Sequence, residues 1–375
     1  MKGLMSKPVD KTIFPQIVDF LHKKNVSVSA KTYGIDALGA MAQGLFASLL
    51  IGTIISTVGE SLGRSLGADA LPAALLVTIG GFAKSAAGPA MATAIGWALK
   101  SPPLVLFSLI AVGGAANQLG GAGGPLAVYF VTVFAAEAGK IVSKETKIDI
   151  IVTPLVTIAV GALLSILFAP IIGKGAAALG GAIMWATELQ PFFMGIAVSV
   201  IVGMILTLPV SSAAICAALG LTGLAGGAAL AGCCAQMVGF AVMSFRENRV
   251  GGLAAQGLGT SMLQMGNIVR NPRIWLPPTL AAAVTGPLAT CVFKLEMNGP
   301  AVASGMGTCG LVGPIGVYSG WLAAINAGTK AAITPYDWAA LAAISVALPA
   351  LLTPLIAIPF RARAWIKPDD LTLDL

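Results

Sequence analysis

The chain has 375 residues, 57% of them hydrophobic and only 10% charged, where soluble domains carry roughly 25% charged residues. That balance excludes a soluble globular protein, and the polar ends before Ile35 and after Phe360 are too short to form a soluble domain of their own. The formal charge of +7 sits on segment ends and the N-terminal tail, the pattern of membrane topology rather than of nucleic-acid binding, so a lipid bilayer is the expected partner and nucleic acid is not.

Residues 1–34 have no apolar core followed by a small-residue cleavage site, and read as a cytoplasmic amphipathic segment on the membrane surface. Residues 37–58 form a first span, long enough at about 1.5 Å per residue to cross a hydrocarbon core of about 30 Å. Spans at 71–97, 103–118, 125–141 and 150–172 follow and complete a first transmembrane half, 35–175. The second half, 176–360, holds spans at 191–209, 211–230, 232–245, 275–293 and 338–360, which brings the total to about ten. It also holds two glycine-rich stretches, 251–267 and 298–328, expected to be re-entrant or broken. A cytoplasmic tail, 361–375, closes an all-α polytopic membrane protein.

Basic residues test that topology. Lys2, Lys7, Lys11, Lys23, Lys24, Lys31, Lys100, Lys140, Lys144, Lys147, Arg246, Arg249, Arg270, Arg273, Arg361, Arg363 and Lys367 fall on one side, and Arg64, Lys174, Lys294 and Lys330 on the other. By the positive-inside rule both termini are cytoplasmic.

The stretch 298–320, NGPAVASGMGTCGLVGPIGVYSG, is apolar enough for membrane depth, yet its seven glycines and two prolines oppose a continuous helix. Broken backbone in a membrane must find its partners in protein, water or solute, so the stretch is expected to line a cavity. Part of it occurs twice. Gly88-Pro-Ala-Met-Ala-Thr-Ala-Ile-Gly96 matches Gly299-Pro-Ala-Val-Ala-Ser-Gly-Met-Gly307, and Gly124-Pro-Leu-Ala-Val-Tyr129 echoes Gly313-Pro-Ile-Gly-Val-Tyr318. A second echo relates Gly44, Ser48 and Gly52 to Gly195, Ser199 and Gly203. Five spans separate these two starts, so a duplication would be inverted, as in many transporters; small residues at four-residue spacing also serve as plain helix-packing faces.

Charge or hydrogen-bonding capacity inside apolar segments marks candidate solute contacts, because burying it costs several kcal/mol unless something receives it. Lys84 lies inside the second span, four residues before Gly88. Glu188 stands where an apolar run resumes, and Asn117, Gln118, Asn267 and Asn298 supply amides near the broken segments. With Thr93, Gly299, Ser304 and Thr308 from the paired motifs, these are the candidate binding residues. Glu137 and Lys140 could pair at an interface. The single histidine, His22, lies in the polar tail, which removes histidine-based catalysis and metal binding from the membrane part; no metal or cofactor is expected. The five cysteines show no C-x-x-C spacing and read as small buried packing residues.

With these motifs the chain resembles the membrane-embedded EIIC component of the bacterial phosphoenolpyruvate-dependent sugar phosphotransferase system. The segment GPAVASGMGTCGLVGPIG is most similar to the EIIC-like branch that includes PfoR-type toxin regulators. Thr187-Glu188-x-x-Pro191 is similar to the T-E-P core of glucose-type EIIC sugar loops, with two extra residues before the proline. The resemblance implies a homodimer in a bacterial cell membrane. It would bind a small polar solute, a sugar or sugar derivative, at Glu188 and the 298–310 segment, and present it to a separate cytoplasmic EIIB-type partner for phosphorylation. The histidine that many EIIC sugar sites use has no counterpart here. Two functions are therefore expected: a transporter of that solute, or a membrane sensor that binds it without transport.

Overall fold

The computed structural model describes residues 19–26, 29–67 and 70–373, so the N-terminal amphipathic segment lies mostly outside the described residues, as does the Arg64 side chain. Helices α1 (Thr32–Gly63), α2 (Leu71–Ser85), α3 (Ala87–Ala98), α4 (Pro103–Gly120), α5 (Gly124–Val142), α6 (Asp149–Thr187) and α7 (Pro191–Thr207) precede a short helix, α8 (Ser212–Ala218). Then come α9 (Gly223–Met243), α10 (Phe245–Ala254), α11 (Met265–Arg270), α12 (Pro272–Val292), α13 (Val312–Asn326) and α14 (Pro335–Ala362). Prolines stand in the first turns of α4, α5, α7 and α14, where the missing N–H costs nothing. Thr334 and Asp337 close a reciprocal cap on α14.

Among the described residues six helical stretches are long and apolar enough to cross a membrane, or seven if α2 and α3, bent by 45°, count as one span. That count takes 103–142 as one stretch, but it folds back at Gly121, with φ of 51°, so α4 and α5 pack side by side as a hairpin in the two expected places. Ten spans are still not reproduced. Spans expected at 211–230 and 232–245 are instead the short α8, a turn through Gly220 and Gly223 at positive φ, and one enclosed helix, α9. No charge interrupts 211–245, so nothing in the sequence marked that turn. Helix α6 runs on past Ile172 to Thr187, through Pro170 and Lys174. At 39 residues it is about 58 Å long, almost twice a hydrocarbon core.

Contacts divide the molecule into two ends. At one, Lys140 Nζ reaches the carbonyls of Asn25 (2.9 Å) and Leu99 (3.0 Å), and Lys24 bonds Ser143 O and pairs with Glu145. Asn248 and Asn267 bond the tail backbone at Leu371 and Thr372, and Arg361 meets Glu247 at the same end. At the other end Gly223 pairs with Met297 in an isolated antiparallel bridge, and Lys330 with Asp337. The described ends of the chain thus share the lysine- and arginine-rich face. Helix α1 starts at that face, while α7 starts at the opposite one, where Pro191 O accepts from Thr290. The two copies of the G-x-x-x-S-x-x-x-G pattern therefore run in opposite directions. Both are packing faces: a Cβ on Gly52 would sit 2.7 Å from Gly80 O, and one on Gly203 2.7 Å from Gly232 O.

Candidate functional site

The G-P-A copies share a packing role but differ in backbone. In each the first glycine meets a carbonyl with no room for a side chain: a Cβ at Gly88 would lie 2.4 Å from Gly113 O, and one at Gly299 2.2 Å from Gly316 O. The first copy lies within the continuous helix α3, and the chain breaks just before it, at Ala86. The span expected at 71–97 is thus bent by 45° ahead of the copy, while alanines and a Pro89 in the first turn of α3 leave the copy's own hydrogen-bond ladder intact. The second copy is broken. It passes from extended Pro300 through a tight helical turn, 301–305, past Gly307 and Gly310 at φ near +50° and Leu311 at φ 59°, into α13. The glycine-rich 251–267 is broken too, at extended Thr260, and a kink at Arg249 (φ 52°) precedes it. The two broken stretches meet where Thr308 Oγ1 donates to Gly257 O at 2.5 Å.

Where the bend at Ser85–Ala87 faces the turn at Met306, two cavities adjoin. One, of about 230 Å³, is lined by Lys84, Asn117, Thr260 and Cys309 among apolar side chains. The other, of about 300 Å³, is lined by Ser56, Glu60, Lys84, Pro300 and Ser319. Thr53, Lys84, Ser211 and Met306 belong to both. Lys84 is half-buried and, among the described residues, has neither an ion pair nor a side-chain hydrogen bond. Lining the same space, Ser56 Oγ is buried without a partner.

Of the residues named from sequence, the fold brings Lys84 and Asn117 together with the turn that carries Ser304 and Thr308. The side chains of that turn point elsewhere: Ser304 Oγ donates to Leu221 O at 2.6 Å, and Thr308 to Gly257. Asn298, at the far end, accepts from Gly223 N at 3.1 Å and donates to Glu296 at 2.8 Å. Thr93 bonds back to Pro89 O within α3, and Gln118 is exposed beside Asn117. Glu188 is exposed at the C-terminus of α6 and lines none of the cavities described. Asn267 belongs to a separate amide cluster, bonded to Gln264 and to Thr372 O, both at 2.8 Å. The Glu137–Lys140 pair forms at 2.9 Å, with Lys140 almost fully enclosed. Cys216, Cys233, Cys234 and Cys309 are buried free thiols, and Cys291 is exposed.

Sequence reasoning passed over Thr53, Glu60, Ser211, Thr260 and Met306. A signal existed for α1: Thr53, Ser56, Thr57 and Glu60 recur at three- and four-residue spacing, a polar stripe along an apolar helix. For Ser211 and Met306 none existed, since only the tertiary fold sets them beside Lys84.

A family model described as "Phosphotransferase system, EIIC" matches residues 35–373. No curated protein and no solved structure matches the chain.

Proposed function

This chain belongs to the phosphotransferase-system EIIC family, and from that premise we propose that it binds a small polar solute, a sugar or sugar derivative, between Lys84 and the Met306 turn and carries it across the membrane. The protein is a multi-pass membrane component of phosphotransferase type; the solute, the depth of its site and the direction of transport belong to the proposal. The observation that carries it is the pair of cavities shared by a bent span and a broken glycine-rich turn.

Lys84 stands near the middle of the α2–α3 span, 13 residues from one end and 14 from the other by number. Half a hydrocarbon core is about 15 Å, farther than a lysine stem reaches, so snorkelling does not explain an ammonium at that depth. A water-filled or solute-filled cavity does. The contact between Gly257 and Thr308 supports a plan in which 251–267 and 298–326 enter as re-entrant segments from opposite faces and meet in the interior. A rigid-body shift of one half against the other, across the α3 and Met306 faces, would expose the cavity to each side in turn. The lysine-rich face is then the cytoplasmic one, where a separate EIIB-type partner would phosphorylate the arriving solute, and a homodimer completes the reading by family resemblance.

Purified protein reconstituted in vesicles and offered labelled sugars and sugar derivatives tests the proposal. A solute that raises Tm in detergent and enters the vesicles is expected. A full panel that changes neither Tm nor vesicle content contradicts it.

A further inference from the structure

We infer that the solute carries one negative charge, as a carboxylate on a small hydroxylated molecule, and that Lys84 is its counter-ion. The inference rests on the solute site proposed above and narrows it to a chemical class.

The charge inventory of the cavities decides the sign. Among the described lining residues Lys84 and Glu60 are the only charged groups, and Lys84 alone lines both spaces. Helices α1 and α2 cross antiparallel through Gly52, Ser56 and Gly80, with Gly52 packed against the backbone of Lys84. Thr53 therefore lies level with Lys84, while Glu60 lies seven residues farther along α1, about 10 Å away along the helix axis. Glu60 is exposed, lines only one of the two cavities and makes no ion pair with Lys84. At the depth of Lys84 the field is thus of one sign.

The backbone does not change that sign. Lys84 lies in the last turn of α2, whose carbonyl end meets the first turn of α3 at Ala87, so two helix ends of opposite polarity adjoin there and the ammonium sets the charge of the space. Around this charge the polar side chains of the first cavity are neutral: Thr53, Asn117, Ser211, Ser212 and Thr260. Thr53 and Ser212 donate their hydroxyl protons to Leu49 O and Gly305 O, whereas Ser211 and Thr260 only accept, from Ala214 N and Met262 N. An ammonium in an apolar enclosure, with no protein carboxylate paired to it among the described residues, favours an anionic ligand over a neutral polyol of the same size. The hydroxyls of such a ligand would find Asn117 and Ser211, and its carboxylate Lys84.

Two measurements test this. Thermal stabilisation is compared between glucose and glucuronate and between galactose and galacturonate, on the wild-type protein, Lys84→Gln and Lys84→Arg. The expected result is binding of a hexuronate about tenfold or more tighter than its parent hexose, lost in Lys84→Gln and kept in Lys84→Arg. The second needs no ligand. In a Cys291→Ser, Cys309→Ala background, M306C is treated with anionic and cationic methanethiosulfonates of equal size. The anionic reagent is expected to react several-fold faster, with the advantage gone when Lys84→Gln is added. An advantage that depends on Lys84 supports the class even where no member of the sugar panel binds. Hexoses that bind as well as hexuronates, unaffected by Lys84→Gln, overturn the anion while leaving the solute site standing. No binding from either kind together with equal reagent rates overturns both.

Discussion

Two polar regions of this protein are built from similar residue types and do opposite things with them. At the lysine-rich end, Gln256, Gln264, Asn267, Asn248 and Asn271 hold the chain's own C-terminal segment. Gln264 and Asn248 both donate to Leu371 O, Asn267 to Thr372 O and Asn271 to Trp365 O, and Leu371 is fully enclosed. Gln256 links Gln264 to Ser244 behind them. Around the bend at Ala86, by contrast, Lys84 and Ser56 face a cavity without protein partners. The first region is polar glue and the second is the proposed site. What separates them is whether the protein itself uses up the hydrogen-bonding capacity it places in the membrane.

The comparison can be sharpened from the frame of the cavity. Gly299→Val drives a side chain into Gly316 O, so a loss of about 3 kcal/mol is expected. Size-exclusion profile and Tm check it, and a protein as stable as wild type would show that the turn repacks freely.

Removing residues 367–375 tests the glue. The amides of Asn248, Gln264 and Asn267 lose their carbonyl partners, at about 1–3 kcal/mol for each that stays buried and unpaired. Tm is expected to fall while solute binding at Lys84 is retained. Unchanged Tm would break the contrast, because the amide cluster would then be as open as the cavity.

Lys84→Gln is expected to change the stability of the solute-free protein by no more than about 0.5 kcal/mol, read as a nearly unchanged Tm, since no pair is broken, yet to abolish solute binding. Strong destabilisation would place Lys84 among the structural groups instead. The smallest effect belongs to Glu188→Gln, for which stability within about 0.5 kcal/mol of wild type and unaltered vesicle uptake are expected. Lost uptake would move the site toward the end of α6.

The fold was legible where apolar runs end in charge or proline: α1, α4, α5, α7, α12 and α14 lie within a few residues of their expected bounds. It was illegible in 211–245, where a turn at Gly220 and Gly223 interrupts uniformly apolar sequence, and at Thr187, because nothing after Lys174 stops α6. The site was half legible. Lys84 stood out as a charge inside a span, and 298–310 as backbone that cannot stay helical. Side-chain direction did not show: Ser304 and Thr308 look like ligand contacts in the sequence, yet their hydroxyls serve Leu221 O and Gly257 O. Asn267 misled in the same way, since its partner lies 105 residues ahead.

The central claim is that water or solute reaches the space between Lys84 and the Met306 turn. The most direct measurement is the rate at which a small polar thiol reagent modifies M306C in vesicles, in a Cys291→Ser, Cys309→Ala background, with the enclosed native Cys234 as internal reference. Modification of M306C far faster than of Cys234 is predicted; equal, slow rates for the two thiols would contradict the account.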